Sequence, residues 1–352
     1  MNDAEFMRRA LQLARQGLGR VSPNPAVGAV LVKDGRIVGE GFHQYQEIKH
    51  AEVLACRQAA DEAWGGTMYV NLEPCSHQGR TPPCCEYLIE KKISRVVAAM
   101  KDPNPLVSGK GLERLRRAGV KVEVGLLEKE AAVLNEGFTK FVTLGVPFVT
   151  IKSAISLDAK MTSASGERQH FSGLESDARV EALRLQSDAI AVGSQTVLAD
   201  DPMLTYRGEQ KRRRPLVRIL LDRHGQIGLD RRLFRDPSPV WWVRPETPLA
   251  LPRHVTLVDP GSNHASCWRA VLGRMTTDAM YHLLIEGGGE TNASALSAGI
   301  VDKIACIYAP QLIGGSRAVS MIGGAGFDPP LSLKRLTGYQ MGDDFWIEGY
   351  LK

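Results

Sequence analysis

HAEVLACRQAADEA at 50–63 and NLEPCSHQGRTPPC at 71–84 are the two stretches that decide how this chain reads. They set His50, Glu52, Cys75 and Cys84 in an order that suits one metal centre. A catalytic zinc takes three protein ligands and keeps a fourth position for water. His50, Cys75 and Cys84 would supply the three, each near an expected helix start, where the dipole favours a thiolate. Glu52, two residues after His50, is not a ligand in this scheme. It is close enough to take a proton from water at the metal and deliver it to a ring nitrogen and a leaving amine. This is the His-x-Glu and Pro-Cys-x-x-Cys arrangement of zinc deaminases, except that eight residues, SHQGRTPP, separate the cysteines here. Taken singly, each residue has a blander reading, a histidine at a helix start or a cysteine as a small buried hydrophobe. The ordered combination, with Glu73-Pro74 before Cys75, is what argues for a metal. Cys84 follows Pro82-Pro83 directly and is taken as the ligand, while Cys85, Cys56, Cys267 and Cys306 are read as packing residues.

Outward from this core the pattern is α/β. Asn2 or Asp3 caps an amphipathic helix carrying Phe6, Ala10, Leu11 and Ala14 on one face. VGAVLV (27–32) and RIVGEGF (36–42) flank Asp34-Gly35, a hairpin signal. Residues 50–63, 84–92 and 109–118 have helical spacing, and 67–72, 96–100 and 121–127 read as strands. Gly145-Val146-Pro147 marks a boundary, giving expected domains 1–145 and 146–352. The second half repeats the alternation: strands at 148–156, 189–193, 215–222, 240–243, 254–258, 282–285, 303–309 and near the end, and helices at 174–185, 266–276 and after 289. The basic run 211–214 is read as a solvated loop.

With 352 residues, two domains of ordinary size are expected, and 43% hydrophobic and 24% charged residues suit globular cores. A net charge of +5 with sparse aromatics argues against a nucleic-acid partner. No segment reaches the ~18 apolar residues of a membrane span, and the first residues have no apolar signal core. Six irregularly spaced cysteines suit a cytoplasmic protein rather than a disulfide framework.

Asn24, His43, His77 and Arg80 are polar groups placed to meet a substrate around the metal. Asn24 offers a donor and an acceptor to an amide-like ring edge, and Arg80 a partner for phosphate. The stretches SPNPAVGAVLVKDGRIVGEGFH, HAEV, NLEPCSHQGRTPPC and AMKDPNP resemble the deaminase domain of the bifunctional riboflavin-biosynthesis deaminase/reductase family, a cytidine-deaminase-like three-layer fold. The resemblance covers roughly residues 1–140. It implies zinc on His50, Cys75 and Cys84, Glu52 as proton shuttle, and Asn24, His43, His77 and Arg80 lining the site. Lys49 stands where the family often has Pro.

In the second half, Glu286-Gly287-Gly288-Gly289 follows a strand and opens a helix, a place where backbone can approach a pyrophosphate. Thr291, Asn292 and Ser294 add donors there, and Gly193-Ser-Gln-Thr196 is a second such turn. KSAISLDAKM, GSQTVLADDPMLTYR and LLIEGGGETNASAL resemble the same family's reductase domain, with a dihydrofolate-reductase-like fold and NADPH as hydride donor. The resemblance implies NADPH contacts at Ala154, His170, Thr196, Asp200, Arg223, Gly288, Gly289, Glu290, Thr291, Asn292, Ala293 and Ser294. Lys152, Arg168, Arg184, Leu204, Arg207 and Glu286 would meet the substrate, with the arginines and the lysine holding its 5′-phosphate. Arg223 is the candidate reader of the 2′-phosphate. Departures from the family cluster at Ala159 and at Arg168-Gln169-His170, where Ser-Gln-Trp is frequent.

The resulting expectation is deamination of a small phosphoribosyl pyrimidine, then reduction of its ribosyl group, by a homo-oligomer with no nucleic-acid or membrane partner. The rivals are a base deaminase acting on tRNA, a deaminase with a nucleotide-sensing second domain, and a non-catalytic binding protein with a structural zinc.

Overall fold

Asn2 starts the first helix, α1 (Asp3–Arg15). Its side chain accepts the Glu5 N–H at 3.0 Å while the Glu5 carboxylate takes the Asn2 N–H at 2.6 Å, satisfying two backbone donors that a helix start leaves over. The computed structural model describes residues 1–45, 49–77, 82–105, 107–165, 167, 169–245 and 250–351. The chain divides into two units, Met1–Gly145 and Val146–Lys352.

In the first unit Asp34 and Gly35 both take positive φ, 49° and 74°, as a two-residue hairpin turn requires. Strand β1 (Gly28–Lys33) therefore returns as β2 (Arg36–Phe42), with Lys33 opposite Arg36. There follow α2 (Ala51–Ala59), β3 (Thr67–Val70), α3 (Cys84–Glu90), β4 (Arg95–Ala98), α4 (Lys110–Arg117), β5 (Lys121–Val124), α5 (Glu128–Leu134) and α6 (Glu136–Leu144). The helix expected over 50–63 stops early: Ala60 has φ 50°, and its last residues form a separate 3₁₀ turn. The sheet runs β2-β1-β3-β4-β5, antiparallel around β1 and parallel from β3 to β5. One face carries Ala51, Ala55, Cys85, Leu88, Leu112 and Leu115 from α2, α3 and α4. The other carries Phe6, Met7, Leu11 and Ala131 from α1 and α5. This is the expected three-layer architecture. Gly41 sets how closely it packs: a Cβ there would stand 2.4 Å from the Ala51 carbonyl oxygen. The start of α2 is thereby pressed onto β2, with His50 at its lip.

The second unit contains β6 (Phe148–Ser156), α7 (Leu174–Gln186), β7 (Ala189–Gly193), α8 (Ser194–Asp200), β8 (Val217–Leu221), α9 (Arg232–Arg235), β9 (Val240–Val243), β10 (Val255–Val258), α10 (His264–Thr277), β11 (His282–Ile285), α11 (Gly289–Ser297), β12 (Lys303–Ala309), β13 (Lys334–Met341) and β14 (Asp344–Tyr350). Its nine-stranded sheet has the order β10-β9-β8-β7-β11-β6-β12-β14-β13, parallel up to β12. It closes on the antiparallel pair β14 and β13. Cys267, Trp268, Val271, Ala295 and Leu296 of α10 and α11 pack on one face. Val180 and Leu183 of α7 pack on the other. A parallel sheet covered on both faces opens its crevices at the carboxyl ends of its strands, and here those ends are Gly193, Leu221 and Ile285.

The basic run is not a solvated loop. Arg212 donates to the carbonyls of Arg184, Leu185 and Ser187 at the end of α7. Arg214 donates to those of Asp278 and Ala279 after α10. Two helix C-termini, whose last carbonyls lack intrahelical partners, are closed by guanidinium groups from one loop.

Candidate functional site

His50 is the N-cap of α2. Its Nδ1 lies 2.9 Å from Cys84 Sγ and 3.4 Å from Cys75 Sγ. Cys75 leaves β3 through Asn71–Pro74, and Cys84 is the first residue of α3. The three ligand atoms lie within 4.8 Å of one another. Zn–N and Zn–S bonds of about 2.0 and 2.3 Å put tetrahedral neighbours roughly 3.5 Å apart, so the set has the chemistry and the spacing for zinc. Cys85 instead faces the core with Leu88, and burial pushes its thiol up to about 11. This separates the two adjacent cysteines, which sequence alone could not do decisively.

The electrostatics favour a cation. The Cys84 thiol donating to Cys75, with His50 close by, holds Cys75 down at about 4. His50 is raised to about 8 by its hydrogen bond to Cys75. Glu52, 3% exposed, has an Oε2 with no partner among the described residues. Burial pushes its carboxyl above the usual range. His43 Nε2 meets Asn24 Nδ2 at 3.0 Å and its Nδ1 meets the Lys49 carbonyl at 3.2 Å. Nδ1 is thus the protonated nitrogen, and the Asn24 amide donates to Nε2. Burial keeps this imidazole below its usual pKa, and its ring stands edge-on to His50 at 5.4 Å. His77 is exposed at the end of the described loop. Arg80 lies outside the described residues. Asp102 was not anticipated. It is half-buried beside His77 and Cys75, and burial raises its carboxyl. The quoted stretch AMKDPNP contains it, but only the fold brings it to the metal loop.

Two of the cavities among the described residues of the second unit flank the turn after β11. One, of about 550 Å³, is lined by Gly193–Thr196, Arg223, His224, His264, Trp268, Gly288–Thr291 and Ser294. Here Gly288 is the N-cap of α11, with no side-chain cap, leaving the first N–H groups of the helix for an anion. A Cβ at Gly289 would stand 2.4 Å from the Ser320 carbonyl oxygen, so only glycine fits. Arg223, His224 and His264 bring three cationic or protonatable groups to this cavity. Burial and Arg223 push His264 below its usual range, against the pull of Glu290. Donors at a helix start plus this basic group suit a phosphorylated dinucleotide. The two histidines carried no sequence signal.

The other cavity, of about 460 Å³, is lined by Lys152, Ala154, His170, Asp177, Glu181, Arg184, Asp200, Arg207 and Glu286, among others. Arg184 grips Glu286 through two bonds of 2.9 and 2.8 Å and reaches Glu181 at 2.7 Å. Its guanidinium thus lines the cavity while paired to two carboxylates. Arg207, at the same cavity, is exposed. Burial depresses Lys152, with Glu286 opposing. Glu286 is held low because Lys152 and Arg184 outweigh its burial. His170 pairs with Asp177 at 3.2 Å. Arg168 lies outside the described residues. Ala154, His170 and Asp200, expected at NADPH, line this cavity and not the one at the start of α11. Three other expected contacts line neither. Asn292 is fully buried beneath the turn, donating to Ser153 Oγ and the Met321 carbonyl. Ala293 is buried beside it. Leu204 sits in the core with Val197 and Leu216.

Comparison with known proteins agrees with this division. The cytidine and deoxycytidylate deaminase zinc-binding region matches residues 1–100, and the RibD C-terminal domain matches residues 147–346. The riboflavin biosynthesis protein RibD of Escherichia coli is 41% identical, over 89% of this chain and 89% of that protein. The chain belongs to the RibD family. RibD from Aquifex aeolicus is 37% identical over 98% of this chain and 97% of its own length. The solved structure of Acinetobacter baumannii RibD has a TM-score of 0.84 at 36% identity, covering 99% of this chain and 98% of that one. A Thermotoga maritima structure, described as a diaminohydroxyphosphoribosylaminopyrimidine deaminase/5-amino-6-(5-phosphoribosylamino)uracil reductase, has a TM-score of 0.87 at 35% identity, with the same coverage. Like other members of the RibD family, the chain is a bifunctional deaminase/reductase of riboflavin biosynthesis, with a zinc-binding cytidine-deaminase-like domain and an NADPH-dependent, dihydrofolate-reductase-like one. No helix among the described residues is long and apolar enough to cross a membrane.

Proposed function

We propose that the first unit removes the 2-amino group of 2,5-diamino-6-(5-phosphoribosylamino)pyrimidin-4-one, and that the second reduces the ribosyl chain of the product to ribityl. The observation that carries the first step is the convergence of His50 Nδ1, Cys75 Sγ and Cys84 Sγ, with the buried Glu52, its Oε2 partnerless among the described residues, two residues after His50. Zinc held by those three side chains supplies a Lewis acid that makes water nucleophilic near neutral pH. Glu52 Oε2 takes the proton that the attacking water loses. It returns that proton to the ring nitrogen next to C2, then carries the hydroxyl proton of the C2 adduct to the amine, so that the C2–N bond breaks, ammonia leaves and the C2 carbonyl forms. Asn24, its amide fixed by His43, presents its carbonyl oxygen to the ring edge. Asp102 offers a second polar edge, and His77 and Arg80 take the phosphate.

In the second unit the open N–H groups of Gly289–Thr291 take the pyrophosphate of NADPH, and Arg223, His224 and His264 its 2′-phosphate. NADPH supplies the hydride. Lys152 and Glu286 hold the opened ribosyl group in place, Lys152 Nζ beside its oxygen, and Arg207 holds the 5′-phosphate. Positioning and exclusion of water carry this step. We further propose a cytoplasmic homo-oligomer with this small molecule as its partner. Stepwise turnover tests it: the full chain with zinc releases ammonia from the diamino substrate, and then oxidises NADPH. NADPH oxidation on the diamino substrate without prior ammonia release would overturn the order.

A further inference from the structure

Glu73 stands two residues before Cys75 and is 4% exposed, yet the mechanism makes no use of it. Its Oε2 accepts the N–H groups of Asp102 at 3.1 Å and Gly109 at 2.8 Å. Its Oε1 accepts those of Gly111 at 2.9 Å and Leu112 at 3.4 Å. Four backbone donors on one buried carboxylate form a strong, charge-assisted set. Three of them belong to the start of α4, where Gly109 is left-handed with φ 82° and no side chain caps the helix locally. The cap arrives from the metal loop instead.

A second contact locks the same two segments. A Cβ on Gly111 would stand 1.9 Å from the Pro74 carbonyl oxygen and 3.3 Å from Glu73 Oε1. That carbonyl belongs to the peptide leading directly into Cys75. The loop is therefore bolted to α4 at Glu73 and wedged against it at Pro74, one peptide before the sulfur. Beyond that point Cys75 Sγ and the Cys75 carbonyl accept the N–H groups of Cys84 at 3.2 Å and Cys85 at 3.2 Å.

We propose that Glu73 and Gly111 form a positioning pair for the metal centre. They fix Cys75 where its sulfur meets His50 and Cys84, and through the Asp102 N–H they fix the polar edge of the same site. The pair acts through Cys75 and touches neither metal nor substrate, and it rests on the zinc reading above. A Gln at position 73 keeps the size but turns an amide N–H towards two of the four donors. An Ala at 111 keeps the carboxylate but pushes the Pro74 carbonyl away.

The test uses the full chain, stripped of metal, with zinc affinity measured by chelator competition and the thiolate-to-metal absorption bands recorded with cobalt(II). Amide exchange of β1 reports whether the first unit stays folded. Supporting residues around a metal typically control affinity by about 10- to 100-fold. Glu73→Gln and Gly111→Ala are expected to weaken zinc by that amount and shift the cobalt bands, with β1 protection retained. Glu73→Asp, which keeps the charge, should fall between parent and Glu73→Gln. Parent-like affinity and bands in both Glu73→Gln and Gly111→Ala would overturn the pair while leaving the zinc reading intact. So would loss of metal only together with β1 protection, which would reduce the pair to a fold anchor. A parent chain that binds no zinc would overturn both.

Discussion

Replacing Glu52 with Gln removes the proton shuttle and little else. The side chain is 3% exposed, its Oε2 has no partner among the described residues, and its polar surroundings are the ligands His50, Cys75 and Cys84. Gln has nearly the same shape, so no ion pair is broken and no cavity opens. The three ligand atoms do not include Glu52, so zinc should be retained. The loss is then that of a general acid–base group, about 10²- to 10⁴-fold in the rate of deamination. At about 1.36 kcal/mol per tenfold, this corresponds to about 2.7–5.4 kcal/mol of barrier. The assay is ammonia release by ion chromatography beside metal content by mass spectrometry. NADPH oxidation with previously deaminated substrate serves as an internal control and should not change. A Glu52→Gln chain that deaminates at the parental rate with its zinc in place would refute the reasoning. Loss of zinc together with activity would refute the claim that Glu52 is not a ligand.

Arg207→Ala should raise the KM of the reductase for its phosphorylated substrate by about tenfold, the scale of one charge-assisted contact, and leave NADPH affinity unchanged in a fluorescence titration. Arg223→Ala should weaken NADPH by about tenfold on the same scale while leaving NADH almost untouched. Equal losses for both cofactors would move the 2′-phosphate away from Arg223. Asp158 accepts Ser156 Oγ and the N–H groups of Ile313 and Gly314 at 2.7, 3.0 and 2.7 Å, which holds it down at about 2. A depressed carboxyl contributes stability that is full above its unfolded value near 4 and is lost as pH falls towards 2. The Ile313 and Gly314 amides should therefore lose exchange protection across that window, and Asp158→Asn should abolish the pH dependence.

Much of this was legible from local chemistry. Asp34-Gly35 announces a hairpin because few residues accept two positive φ angles in succession. The apolar runs of β7, β9 and β11 announce a parallel sheet buried on both faces. The metal set was legible from the order of residue types, His50-Ala-Glu52 and then Glu73-Pro-Cys75, although the eight residues before Cys84 depart from the usual cysteine spacing. What stayed hidden depends on tertiary contact. β13 lies at a sheet edge with almost every residue exposed, so no apolar alternation marks it. Arg212 and Arg214 look like solvent charges until the helix ends they close are known. Asn292 reads as a donor to a cofactor beside Thr291, but helical geometry turns it under the turn towards Met321. His224 and His264 are forty residues apart, and only the sheet brings them to one cavity. Arg184 reads as a lone cation in the sequence, and only the fold brings Glu286 and Glu181 to it.

Anomalous scattering at the zinc edge, from crystals of the full chain, addresses the coordination itself. The account predicts a single strong peak within bonding distance of His50 Nδ1, Cys75 Sγ and Cys84 Sγ, with no protein atom at the fourth corner and the Glu52 carboxylate facing it. A peak whose fourth ligand is a side chain, or no peak at these three residues in a deaminating preparation, would contradict it.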